Sequence, residues 1–336
     1  MEPILLLAHT EADGTLAKPA LEALSAALAL GGPLTIGLVG HPVQPAADQL
    51  ASTGARFFAV TGPAYAEPRY ATDAAAAEAL ARASGATLIL APSTSRWARA
   101  LPGVAYRLRG RIDTHATGLA MENEVPAVNR WYYRQRMEAV LTRSERPWIV
   151  LLESGCATPF DGAPGAATVE IVQPPTHATR TTVQGVEAPK SGQETIRPDA
   201  RLLFVAGAGW TKKQADGAVH ASEAEDLILG FLGAAHASLG GSKSLVDLSG
   251  EGQTVLAFMT HLNQIGQTGA TPRHPKGLST CCHGEEPHVV GWRFITERRA
   301  INLDPNCGWA RGKADVLYVA DAFEVIKEVN RLLQQG

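Results

Sequence analysis

Through the first 170 residues, short apolar runs alternate with stretches of helical period. Continuous apolar segments at residues 4–8, 34–39, 57–60 and 87–91 predict buried strands, and amphipathic patterns over about 18–30 and 72–83 predict helices between them. Such alternation is the signature of a mainly parallel sheet with crossover helices. Runs at 138–141, 148–152 and 169–172 predict further strands with few helices, so this α/β part ends β-rich. From residue 173 to about 196 the chain turns to Pro, Thr, Gly, Gln and charge with no sustained period, the composition of a surface linker. A second α/β pattern starts near Arg197. It has an apolar run at 202–206, a helical stretch over about 218–237, a strand at 316–320 and a helix over about 322–334. The predicted fold class is therefore α/β in two domains: residues 1–172, a linker at 173–196, and residues 197–336.

Composition sharpens this picture by exclusion. A chain of 336 residues is long for one core, which agrees with two domains. A formal net charge of -3 lacks the excess of Lys and Arg that phosphate backbones demand, so no nucleic-acid partner is expected. The apolar runs at 4–8 and 24–30 end well before the ~20 residues of a spanning helix. Met1-Glu2-Pro3 lacks the basic flank and apolar stretch of a secretory signal. Four cysteines do not make a disulfide framework at this length, and a reducing cytoplasm is the expected compartment.

Candidate chemistry concentrates in the second half. Gly207-Ala208-Gly209-Trp210 follows a predicted strand, where glycines let the backbone approach a phosphate. A full dinucleotide fingerprint needs another glycine at position 212, which is Lys. The turn reads either as a plain tight turn or as a ligand turn served by Trp210 or Lys212. Further on, Gln264-Ile265-Gly266-Gln267-Thr268-Gly269 forms a glycine-bounded loop, followed by His283-Gly284-Glu285-Glu286-Pro287-His288 and then by Ile301-Asn302-Leu303-Asp304-Pro305. These three segments, in this order, resemble the VGQTG, GISGAIQH and AIN-x-DP motifs of the alpha subunit of electron transfer flavoproteins. The resemblance extends more weakly over nearly the whole chain, including Pro92-Ser93-Thr94-Ser95 and Arg197-Pro198.

The resemblance implies a doubly wound, Rossmann-like second domain that binds FAD, and a first domain that packs against a beta subunit whose own nucleotide is AMP. It implies that Ser242 and Lys243, in place of the family's GASRAAVD segment, face the cofactor's pyrophosphate, with Lys243 a point charge where the family has a planar Arg fork. Gly266, Gln267, Thr268 and Gly269 would meet the polar edge of the flavin ring, where a hydrogen bond tunes redox behaviour. His283, Gly284 and His288 would follow, His288 placing positive charge near the pyrimidine carbonyl. Asn302 and Asp304 would meet the adenosine half, and Asp321 would help place it. Several positions depart from the family pattern. Gly209-Trp210 stands where the family has an Arg, and Glu285, Glu286 and Pro287 replace small residues, an apolar residue or a Gln.

Cys281, Cys282, His283, His288 and Cys307 offer metal-ligand chemistry, but there is no C-x-x-C and the spacing is poor. No metal is expected. Ser154-Gly155-Cys156 lacks a nucleophile frame. The aromatic and cationic run Arg130-Trp131-Tyr132-Tyr133-Arg134-Gln135-Arg136 suits a strand facing a partner subunit better than a nucleic-acid site.

The resemblance thus implies an electron carrier rather than a substrate-transforming enzyme. It would take electrons from a flavin-dependent dehydrogenase or demethylase and pass them to a quinone-linked acceptor. The alternative is a structural subunit of an amine-oxidising complex that has lost or replaced its FAD. A stand-alone nicotinamide dehydrogenase would need the complete glycine fingerprint. Thr268→Val should shift the midpoint potential of a bound flavin by potentiometric titration and leave the fold intact. An unchanged potential would remove Thr268 from the site.

Overall fold

The central strand of the first unit, β1 (Ile4–His9), pairs in parallel with β2 (Leu34–Gly40) and β4 (Leu88–Pro92), and it is apolar on both faces because a packed core covers each. The computed structural model describes residues 2–132, 137–175, 179–185, 196–197, 200–247, 254–266, 269–270, 272–280, 295–306 and 314–335. The chain divides into two compact units, Met1–Val186 and Glu187–Gly336. Each carries its own sheet, giving a two-domain α/β organisation.

β3 (Arg56–Thr61), β5 (Arg111–Glu122), β6 (Val125–Tyr132), β7 (Met137–Leu141), β8 (Trp148–Leu152) and β9 (Val169–Ile171) complete the first sheet. Its order among the described residues is β7-β6-β5-β8-β4-β1-β2-β3-β9. All pairs from β5 to β9 in this order are parallel; the β5–β6 and β6–β7 pairs are antiparallel, forming a ribbon beyond β5. Successive residues of β1 serve opposite cores. Leu6 and Ala8 pack with Leu38, Leu90 and Val150 against α1 (Lys18–Ala29). Leu5 and Leu7 pack with Phe58, Ile89 and Leu151 against α3 (Tyr70–Ser84) and α4 (Ser95–Arg107). A short α2 (Gln44–Gln49) follows β2.

α4 is absent from the sequence expectations because Pro102 and Gly103 break its pattern. Its start is nevertheless well specified. Thr94 caps it, the side chain accepting from Trp97 N at 3.4 Å. Arg96 is buried and reaches back to Asp73 of α3 at 2.7 Å and to the Tyr65 carbonyl. Burial pushes the Asp73 carboxyl up, and Arg96 only partly offsets it. β5 is also absent from the sequence expectations, since it alternates polar and small residues around a bulge at Thr114 and His115, whereas β6 ends in residues 130–132, the start of the run expected to be a strand facing a partner.

The second sheet contains β10 (Leu202–Ala206), β11 (Ser238–Gly241), β12 (Lys276–Thr280), β13 (Glu297–Asn302) and β14 (Val316–Val319), all parallel. The order β11-β10-β12-β13-β14 is the 2-1-3-4-5 arrangement of doubly wound sheets. α5 (Ala221–Ala235) and α7 (Ala322–Leu333) cover one face through Ile228, Phe231, Phe323 and Ile326, and α6 (Lys243–Asp247) follows β11. α5 starts three residues later than the pattern suggested and ends at His236, which takes a left-handed conformation. Among the described residues no helix is long and apolar enough to cross a membrane.

Asp113 joins the antiparallel ribbon to the parallel core. Buried on β5, it accepts hydrogen bonds from Arg143, from Arg130 Nη1 at 3.2 Å and from Trp148 Nε1 at 2.9 Å. Burial alone would raise its carboxyl, but the Arg143 and Trp148 hydrogen bonds hold it below the usual range. Asp113→Ala strands these donors and should cost about 3–5 kcal/mol in urea unfolding at neutral pH. Because the folded pKa is lowered, the carboxylate stabilises fully above the unfolded pKa, and this contribution is lost as pH falls through the folded value. The gap between wild type and Asp113→Asn should therefore narrow below about pH 4; a constant gap would contradict the charged network.

Candidate functional site at the carboxyl edge of the second sheet

Parallel strands place every following loop at one edge of the sheet, and ligands of doubly wound folds bind in the crevice outside that edge. In this order the chain reverses direction between β10 and β12. β10 leads into the turn Gly207–Thr211, whose Gly207 N donates to the Thr280 carbonyl of β12 at 3.0 Å. Trp210 is fully buried here. Its Nε1 donates to Thr280 Oγ1 at 2.8 Å, and its ring lies 4.6 Å from that of Phe323. The turn is thus a packed one, and Trp210 is a core residue rather than a cover for a ligand. Lys212 is exposed at its end.

Beyond β11, Ser242 is buried and binds both ways: its N donates to the Ala206 carbonyl at 2.9 Å and its Oγ accepts from Leu245 N at 3.2 Å. It starts α6, where Lys243 pairs with Asp247 one turn on. The glycine-bounded loop is pinned to the same strand end, since Ile265 N donates to the Gly241 carbonyl at 3.1 Å. Gly266 takes φ +71°, in the left-handed region, and its N bonds the Ala270 carbonyl at 2.8 Å. Gly269 N bonds the Gly266 carbonyl at 2.7 Å, and a Cβ on Gly269 would collide with the Gln264 backbone. Both glycines are therefore required by the loop itself.

At the end of β13, Asn302 is buried, and its Oδ1 accepts from Asp304 N at 3.0 Å. Its Nδ2 is buried with no hydrogen-bond partner among the described residues. Such an orphaned donor is costly unless a ligand or water receives it. Asp304 Oδ1 accepts from Asn306 N at 2.8 Å. After β14, Asp321 caps α7, accepting from Phe323 N at 2.7 Å and Glu324 N at 3.4 Å.

The structure thus brings Ser242, Lys243, Gly266, Gly269, Asn302, Asp304 and Asp321 to one edge. Gln267, Thr268, His283, Gly284 and His288 lie outside the described residues, as do Cys281, Cys282 and Cys307. Among the described residues no group of His, Cys, Asp and Glu gathers to hold a metal ion. One partner escaped the sequence reading. His261 Nε2 lies 3.0 Å from Asp247 Oδ1, a contact that no local pattern in the sequence signals.

The first sheet has a polar row at its own carboxyl edge. His9 Nε2 meets Thr94 Oγ1 at 3.1 Å, and burial pushes His9 down to about 4, so it is neutral. Glu153 Oε1 receives Ser93 Oγ at 3.2 Å and lies 2.8 Å from His115 Nδ1. Ser93 and Thr94 of the Pro92-Ser93-Thr94-Ser95 segment therefore hold strand ends together.

The family model of the electron transfer flavoprotein domain matches residues 4–183. The chain belongs to the electron transfer flavoprotein family, whose members generally bind flavin. The match covers the first unit, and the site residues at the second sheet lie beyond it. No curated protein matches the chain.

The packed turn after β10 has a direct check. Trp210→Ala should destabilise the protein by about 3–5 kcal/mol, whereas Trp210→Phe keeps a ring and should cost about 1 kcal/mol for the lost bond to Thr280. Urea unfolding measures both; no loss in either variant would return Trp210 to the surface.

Proposed function

We propose that this chain is the FAD-binding, alpha-type subunit of an electron transfer flavoprotein, with FAD along the carboxyl edge of the second sheet. The observation that carries the reading is the buried amide nitrogen of Asn302, which has no partner among the described residues and stands among other polar residues on that edge. Span adds support. From β11 to β14 the edge crosses five strands, roughly 19 Å at ~4.8 Å per strand. A mononucleotide would reach two or three strand ends, whereas an extended dinucleotide can meet both Lys243 and Asn302.

FAD, when bound, supplies the group that accepts and releases electrons. The protein's own residues bind and orient it. Lys243 offsets pyrophosphate charge, the Asn302 amide donates to the adenosine half, and Asp304 fixes the turn that aims that amide. Gly266 and Gly269 shape the loop that presents Gln267 and Thr268. His283, Gly284 and His288 complete the flavin side, His288 as a cation. Ser242 and Asp321 act through backbone placement, as caps of the helices that begin at this edge.

The chain works in the cytoplasm beside a beta subunit that carries AMP, taking electrons from a dehydrogenase or demethylase towards a quinone-linked acceptor. The ribbon β6–β7 is the proposed contact for the beta subunit. Val125, Tyr132, Met137 and Val140 are exposed on it, more apolar surface than a solvent-facing ribbon needs.

One observation favours a second reading, a structural subunit without FAD: a buried Trp210, not a cation, fills the turn after β10. Flavin content separates the two. The complex with its beta-type subunit should show a flavin absorbance spectrum and release one FAD per chain. A stable, colourless complex would sink the carrier reading in favour of the structural one.

A further inference from the structure

Asp247 holds a lysine and a histidine at the cofactor edge. Lys243 pairs with its Oδ2 along α6, and His261 stands at its Oδ1, 3.0 Å away. The Lys243 and His261 hydrogen bonds together keep the Asp247 carboxyl below its usual range. All three side chains reach solvent, Lys243 at 42% and Asp247 at 31% exposure, so neither pair is locked by burial. Exposed pairs of this kind contribute little to stability and exchange partners readily.

The two partners sit on different elements. Lys243 opens α6 at the end of β11, whereas His261 opens the 3-10 turn His261–Asn263. That turn is closed by a reciprocal cap, with Thr260 Oγ1 accepting from Leu262 N at 3.2 Å and Asn263 Oδ1 accepting from Thr260 N at 3.1 Å. It leads directly into Gln264–Gly266, which are pinned to β11. The Asp247–His261 contact therefore fastens the approach of the glycine loop to the helix that carries Lys243.

We propose that Asp247 exchanges partners when the cofactor binds: Lys243 turns to the diphosphate, and His261 remains as the hydrogen-bond partner of Asp247. This rests on the FAD reading above. Without His261, recruitment of Lys243 would leave a bare carboxylate beside the incoming anion, and the two negative charges would repel. Asp247 and His261 are thus positioning residues. They set how available Lys243 is and keep the Thr260–Asn263 turn in place while it moves.

The test is FAD titration of the full chain, followed by flavin fluorescence, for single and paired variants. Lys243→Met should weaken binding about tenfold, and Lys243→Arg should keep it. Asp247→Asn should tighten binding about threefold by freeing Lys243, and this gain should vanish in the Lys243→Met background. His261→Gln should weaken binding about threefold, but not when Asp247 is already Asn. Asp247→Asn that tightens FAD equally with and without Lys243 would reduce Asp247 to a simple repulsive charge and overturn the exchange alone. Wild type that takes up no FAD would overturn the flavin reading and the exchange with it.

Discussion

Five strands of the second unit run in the same direction, and that common polarity is the constraint on which the site depends. Parallel hydrogen bonding in register, such as Val205 with Ser279 and Ala300 with Leu317, brings the strand ends to one level. Each loop that follows a strand then begins at the same edge. Residues as far apart in sequence as Lys243 and Asn302 come to lie along one line. A small residue completes the arrangement. At Gly240 a Cβ would stand 2.9 Å from Ile265 Cγ2, so only glycine lets the loop lie against β11 and bond to it.

The charges of the two units do different work. In the first unit Asp73 and Asp113 are withdrawn from water and held by Arg96, Arg143 and Arg130, so their pairs cannot open without exposing an uncompensated ion. In the second, Lys243, Asp247 and His261 are solvated and can trade partners at little cost. Fixed pairs suit a scaffold, and exchangeable ones suit an edge that must receive an anionic ligand. Asn302 is a third case, a buried donor left without a partner among the described residues.

Much of the architecture was legible because buried parallel strands write themselves as unbroken apolar runs. Leu5, Leu6 and Leu7 of β1 and Ile149, Val150 and Leu151 of β8 are such runs. β11 was illegible for the opposite reason: its Ser238-Leu239-Gly240-Gly241 carries small residues where Ile265 and Met259 press against it. β12 and β13 mix charge with short apolar stretches, and α4 hides behind Pro102 and Gly103. The glycines and polar turn residues of the site could be read as motifs, but not their partners. Nothing in local pattern pairs His261 with Asp247 or Trp210 with Thr280, since those contacts come from the way separate loops meet at the sheet edge.

The central claim is that FAD lies along the carboxyl edge of the second sheet, and hydrogen–deuterium exchange of the full chain with and without FAD tests it most directly. The account predicts slowed exchange in peptides covering residues 240–247, 264–270 and 302–306, with the first unit's strands unchanged. Protection confined to the first unit, or bound FAD with no protection at these three segments, would contradict it.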